Sequence, residues 1–173
     1  SLSYTDAFFE SVSGITTTGS TVINNLDILT EGILIWRSLL QWFGGIGIIV
    51  LAMAILPTLQ IGGMQLLHME HDDPYEKTIP KVNRFVVELF LIYVLFSFIC
   101  GFLYFMNGMN GFDSIIHAMT TISTGGFSNY DQSFLYFDSF QLEIISVLFM
   151  LIGSLPFVLY LQFIHGQKKN NFQ

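Results

Sequence analysis

"DAFFESVSGITTTGST", residues 6–21, is a short apolar run that opens on an acid and closes on a string of Thr, Ser and Gly. Asp is a good helix N-cap, so the stretch predicts a helix from Asp6. The Ser/Thr–Gly string stops that helix after about ten residues, whereas crossing a bilayer takes about 20. A polar turn, "INNLD" (23–27), follows, and then a long apolar run. The same order of features returns 107 residues later, where "DSIIHAMTTISTGGFS" (113–128) aligns with the first copy without a gap. Asp6 meets Asp113, Ile15 meets Ile122, Thr17 meets Thr124 and Gly19 meets Gly126. Ser13 with Thr120 and Thr16 with Ser123 match in character. The span after each copy carries a mid-span glycine, and a shift of 108 sets Trp42 on Met150 and Gly45 on Gly153.

The surroundings of the repeat are those of a membrane protein. Of 173 residues, 52% are hydrophobic and 11% charged, against about a quarter charged in soluble domains. Three stretches are long and apolar enough to span a bilayer: 33–57, 85–106 and 140–164. Two of them hold a charge near one end, Arg37 and Glu88, where a long side chain can reach the interface. Glu88 reads as an interfacial charge near Lys81 and Arg84. The single cysteine, Cys100, lies deep in the second span and can form no internal disulfide. No basic n-region precedes an apolar core, so no secretory signal is expected.

The net charge of −7 is unevenly spread. Apart from Arg37, the basic residues are Lys77, Lys81 and Arg84 between the first and second spans, and Lys168 and Lys169 after the third. The positive-inside rule makes those two places cytoplasmic. The opposite segments, 1–32 and 107–139, contain no Lys or Arg and carry Asp6, Glu10, Asp27, Glu31, Asp113, Asp131 and Asp138. An acidic outer face concentrates cations at the mouth of any pathway.

A helix too short to cross, entering from outside and ending in polar backbone, predicts a re-entrant loop. Such backbone is tolerated at membrane depth only when buried in protein or lining a wet cavity. Extended Thr-Thr-Thr-Gly can turn successive carbonyl oxygens into a pathway, with Gly allowing conformations other residues resist. Rings of carbonyls replace the hydration shell of a cation in selectivity filters, and the negative end of each short helix points the same way. The competing reading, from a different class, is a non-conducting scaffold whose small residues only pack helices.

These residues resemble the Trk/Ktr/HKT superfamily of potassium-uptake proteins, most closely the Trk-type membrane subunit. The resemblance rests on "DAFFESVSGITTTGST", "WRSLLQWFGGIGIIVLAMAILP", "IGGMQLLHME", "EKTIPKV", "FDSIIHAMTTISTGGFS" and "MLIGSLPF", and so covers nearly the whole chain. It implies an all-α integral membrane fold of repeated helix–pore-loop–helix units, four per chain around one pore. The filter strands would be Thr16, Thr17, Thr18 and Gly19 in the first unit, and Ser123, Thr124, Gly125 and Gly126 in the second. Potassium is then the transported ion, with no organic cofactor. The resemblance also implies a homodimer in the cell membrane and a cytoplasmic nucleotide-binding regulatory subunit. Nothing points to nucleic acid.

On this reading the chain is a fragment with two of four units, and the family's gating loop falls beyond Gln173. Residues 1–58 are the first pore helix, strand and exit helix, and 59–82 a cytoplasmic connector. Residues 83–165 form a complete second unit, and 166–173 a tail. The connector's "HMEHDDPYEK" is richer in His and Asp than the usual family loop. The strands lack the repeated glycines of a dedicated potassium channel, which leaves K⁺ and Na⁺ both open at this stage.

Other features have plainer readings. "FGGIGIIV" (43–50) lacks the strand–turn–helix setting of a nucleotide loop, so Gly44, Gly45 and Gly47 are expected to let helices pack closely. His68, Glu70, His71, Asp72 and Asp73 have metal-ligand types but sit in a solvated loop. His117, matching Glu10 in the repeat, reads as a hydrogen-bonded support. Pro156 and Gly153 should kink the last span. Arg37 lies close to Asp6 and Glu10, and pairing with one of them stands level with simple snorkelling. No nucleophile–base–orienter set for enzyme chemistry is present.

Overall fold

The computed structural model describes residues 3–55, 78–157, 159–161 and 163. Among them there is no strand. Five α-helices run in order: α1 (Tyr4–Ile15), α2 (Glu31–Ile55), α3 (Thr78–Met106), α4 (Gly111–Ile122) and α5 (Phe140–Ser154). Two 3-10 turns, Leu26–Ile28 and Ser133–Phe137, sit in the connections before α2 and α5.

The two short helices start earlier than Asp6 and Asp113. Ser3 is the N-cap of α1: its Oγ accepts from Asp6 N while its own N–H donates to the Asp6 carboxylate, both at 3.2 Å. This is a reciprocal capping box, with the acid three residues inside the helix. Asn110 caps α4 through its side chain alone, Oδ1 accepting from Asp113 N at 2.8 Å and Nδ2–H donating to the Asp113 carboxylate at 2.7 Å. The acids therefore stabilise the first turn from within. Both helices are 12 residues long, about 18 Å at 1.5 Å per residue, well short of a bilayer core.

The long helices are apolar almost all round. On α3, Leu91, Leu95, Phe98, Phe102 and Phe105 recur at three- and four-residue spacing and are each more than half exposed. Water makes such a contiguous apolar face costly; hydrocarbon does not. Among the described residues, Val86–Met106 is the one segment long and apolar enough to cross a membrane by length and composition. α3 begins at Thr78, inside the stretch expected to be a connector. Pro80 is tolerated there because first-turn amides have no intrahelical partner to lose.

The third expected span is broken. α5 stops at Ser154, Leu155 is extended (φ −72, ψ 143), and helix resumes at Phe157. Pro156 disfavours helical geometry at Leu155 and cannot donate to the Ile152 carbonyl. Tyr160 Oη–H and Leu155 N–H donate to that carbonyl instead, at 2.9 and 3.3 Å.

The core lies where α4 is cradled by α3, α5 and the middle of α2. Tyr93, Cys100 and Tyr104 of α3 meet Ala118 and Ile122 of α4 and Leu142 and Phe149 of α5. Tyr93 Oη–H donates to the Trp42 carbonyl at 3.1 Å and Trp42 Nε1–H to Ser97 Oγ at 3.0 Å, tying α2 to α3. The His68–Asp73 cluster lies outside the described residues.

Candidate functional site

The C-terminal ends of α1 and α4 run into two turns of the same shape. Thr16 and Ser123 close their helices with φ −82, ψ 0 and φ −74, ψ −3. Thr17 and Thr124 then adopt φ 56 and 54, and Gly19 and Gly126 adopt φ 79 and 80. Backbone bonds repeat with them: Thr18 N donates to Ser13 O at 3.0 Å, and Gly125 N to Thr120 O at 2.9 Å. Glycine takes the left-handed region freely. A β-branched residue does not, and each such threonine costs about 1–3 kcal/mol. The repeat is thus more faithful in backbone than in sequence.

Behind each turn stands a buried polar support at the same register. Glu10 accepts from Thr21 Oγ–H at 2.9 Å and from Val22 N at 3.1 Å. In the second copy, His117 Nε2 pairs with Ser128 Oγ at 3.0 Å and Nδ1 with the Asp113 carbonyl at 2.9 Å. Thr21 Oγ accepts from Ile23 N as Ser128 Oγ accepts from Tyr130 N, at 3.1 and 3.2 Å. The Asp113 carboxylate is buried without a cation among the described residues, and Asn110, Asn129 and Tyr130 donate to it at 2.6–2.7 Å.

Arg37 joins the two copies. Its Nε–H donates to Glu10 Oε1 at 2.8 Å, in an ion pair buried on both sides. Nη2–H reaches Thr21 Oγ at 3.2 Å, and Nη1–H reaches the Ser128 carbonyl of the second copy at 3.1 Å. The guanidinium also lies 4.2 Å over the Phe127 ring. Asp6 is occupied with its cap, which leaves Glu10 as the partner. A second tie lies further out, where Asp131 accepts from Asn25 N and Leu26 N, each at 3.0 Å.

Glycines let the exit helices press against these turns. A Cβ on Gly44 would strike the Ile15 carbonyl, and one on Gly153 would strike the Ile122 carbonyl. Ile15 and Ile122 are equivalent in the repeat, so Gly153 answers to Gly44 and the exit helices are offset by 109 residues. The expected pairing of Gly45 with Gly153 is off by one, because the loops before α2 and α5 differ in length by two residues rather than one. Gly45 instead lies against Tyr93 Oη and Ser123, while Gly47 has nothing within 4 Å of its Cβ position.

The two turns meet at Gly19 and Gly125. A Cβ on Gly19 would collide with the Gly125 carbonyl, so the two turns touch backbone to backbone. Thr16, Thr18, Thr124 and Gly126 are exposed, Thr17 and Gly19 half-buried, and Ser123 and Gly125 buried. Behind this junction sits Gln41 of α2, fully buried. Its Oε1 accepts from Phe127 N at 3.1 Å, and its Nε2 has no acceptor among the described residues. An unpaired buried donor costs about 1–3 kcal/mol. Sequence reading passed over Gln41; a lone amide inside an apolar span was the available signal. It also gave no part to Thr21 and Ser128, and counted Asp131 only in the acidic outer face, not as the acceptor of Asn25 N and Leu26 N. Among the described residues no cluster of His, Cys, Asp or Glu could hold a metal ion.

The family described as TrkH, cation transport protein, matches residues 1–173. This chain belongs to that family. Membership of the TrkH family makes it a membrane protein. It is 46% identical over 168 residues to the Trk system potassium uptake protein TrkI of Halomonas elongata, covering 96% of this chain and 34% of the relative. It is 48% identical over 161 residues to TrkH of Vibrio parahaemolyticus, covering 92% and 33%. The crystal structure of the potassium transporter TrkH from Vibrio parahaemolyticus is similar at a TM-score of 0.82 with 44% identity, over 96% of this chain and 33% of that one. The chain thus spans about a third of the length of the TrkH-family relatives it matches.

Proposed function

We propose that this chain supplies two of the four filter strands in the pore of a potassium-uptake protein. On this reading α1 and α4 are pore helices entering from outside, and Thr16, Thr17, Thr18, Gly19 and Ser123, Thr124, Gly125, Gly126 are the returning strands. Backbone carbonyls of these residues replace the hydration shell of the passing ion, with no covalent step. The negative ends of α1 and α4 face the same place, and the acidic outer segments raise local cation concentration.

One observation carries the reading: two threonines, Thr17 and Thr124, hold the same left-handed conformation in strand turns that touch. Helix packing calls for small residues at close approach; it gives no reason to strain a threonine twice in one register. The names of the relatives support potassium as cargo and, in the words "Trk system", further components. A homodimer in the cell membrane with a cytoplasmic nucleotide-binding regulatory subunit belongs to the same proposal. So does the division into 1–58, 59–82, 83–165 and 166–173, with α3 beginning inside the connector. Residues 60–82 and the tail from His165 are cytoplasmic, and lipid covers the exposed face of α3.

The test is uptake of K⁺ and Na⁺ by the full-length protein in cells lacking other potassium uptake, with membrane abundance measured alongside. Gly126 has open space at its Cβ position but φ 80, so Gly126→Ser perturbs the strand without a clash. It should insert normally and lower the K⁺/Na⁺ uptake ratio. An unchanged ratio at normal abundance would favour a helix-packing scaffold.

A further inference from the structure

We infer that Gln41 is a selectivity-determining positioning residue, which aims the Gly126 carbonyl into the ion path by holding the other side of the same peptide. The inference rests on the filter reading and adds a residue that the strands themselves do not contain. A trans peptide is planar, so its N–H and C=O point in opposite directions. Phe127 N–H and Gly126 C=O belong to one peptide. Phe127 N–H points back into the protein, where Gln41 Oε1 accepts it at 3.1 Å. The Gly126 carbonyl is thereby turned the other way, on a residue that is itself exposed. Glycine at φ 80 offers little resistance to a peptide flip, so an external hold is needed, and Gln41 supplies one.

The packing around Gln41 fits this role. A Cβ on Gly125 would fall 2.7 Å from Gln41 Nε2 and closer still to the amide carbon, so the amide lies flat against the strand. The Cβ position of Gly19 is 3.7 Å from the same nitrogen, which places the amide behind both strands at their junction. An apolar side chain of equal length would fill that space without leaving a buried donor unpaired. The hydrogen bond to Phe127 is what an amide adds. Along the repeat, the residue of α5 that answers to Gln41 at the 109-residue offset is the exposed Met150.

Three variants of the full-length protein test this by K⁺ and Na⁺ uptake and membrane abundance. Gln41→Met keeps the length and removes the acceptor, Gln41→Asn keeps the amide but falls one methylene short, and Gln41→Glu keeps an oxygen in reach of Phe127 N. At abundance within twofold of the parent, Met and Asn should lower the K⁺/Na⁺ ratio at least tenfold, while Glu holds it within threefold. Should Gln41→Met fail to accumulate, the contrast between Asn and Glu carries the test. A parental ratio in Met or Asn, an equal fall in all three, or failure of all three to accumulate makes Gln41 a packing residue and overturns the inference. Gly126→Ser, run alongside, separates the two failures. If it leaves the ratio unmoved the filter reading is wrong, and if it alone moves the ratio only the role of Gln41 is wrong.

Discussion

Arg37 Nη1–H donates to the backbone carbonyl of Ser128 at 3.1 Å, across 91 residues of sequence. The same guanidinium is paired with Glu10 on α1, so one side chain from the first exit helix fixes the back of both strand turns. A buried charge is tolerable when its partner and its remaining donors are all satisfied. Here Glu10, Ser128 and Thr21 each take one N–H, one from each of the three guanidinium nitrogens. The two copies are therefore held in mutual register by an electrostatic bolt rather than by apolar packing alone.

Removing one end of that bolt strands the other. Arg37→Gln and Glu10→Gln should each destabilise the full-length protein by about 3–5 kcal/mol, as expected for breaking a buried pair. The double variant should cost clearly less than the sum. Thermal unfolding of detergent-purified protein in a double-mutant cycle measures this. Asp6→Asn, which touches only the cap, should be additive with Arg37→Gln; strong coupling there would mean that the ion pair is misassigned.

Gly44 and Gly153 make equivalent contacts with the Ile15 and Ile122 carbonyls. Alanine at either should lower stability by about 1–3 kcal/mol through overpacking against a backbone that cannot yield. Gly47→Ala, with free space around it, should be neutral or gain up to about 1 kcal/mol of helix propensity. Melting temperatures of the three variants decide the matter, and equal losses at all three positions would contradict the contact pattern.

Asp131 holds the loop before α2 by two backbone amides. In Asp131→Ala, hydrogen exchange at Asn25 and Leu26 should accelerate at least tenfold while Leu29 N, bonded to the Leu26 carbonyl, changes less. Unaltered exchange at Asn25 would show that the loop is ordered by other contacts.

Topology gives a further check. Asn25 and Asn110 are exposed and lie in segments without Lys or Arg, which the positive-inside rule puts outside as an expectation. Cysteines placed at these two positions should react with an impermeant thiol reagent in intact cells, and one at Lys77 only after permeabilisation. Labelling of position 77 from outside would reverse the orientation.

Much of this was written along the chain. The apolar spans, the lopsided Lys/Arg distribution and the two Ser/Thr–Gly copies are local properties, set by side-chain transfer energies and by how little helix Gly and clustered Ser/Thr support. They were enough to expect an all-helical chain with two short helices ending in polar turns. Helix starts and stops were less legible: Ser3 and Asn110, not the acids, cap the short helices, and Pro156 breaks the last span outright. What sequence could not reach was the set of contacts between the copies. Glu10 to Arg37, Arg37 to Ser128, Asp131 to Asn25 and Gln41 to Phe127 all join residues that no helical or strand period relates. A polar side chain in an apolar span announces a cost, but only the packed chain determines which donor or acceptor offsets it. The left-handed threonines are likewise a tertiary outcome, since Thr17 and Thr124 by themselves favour other conformations, and the turns hold them because the flanking helices and buried hydrogen bonds leave no alternative.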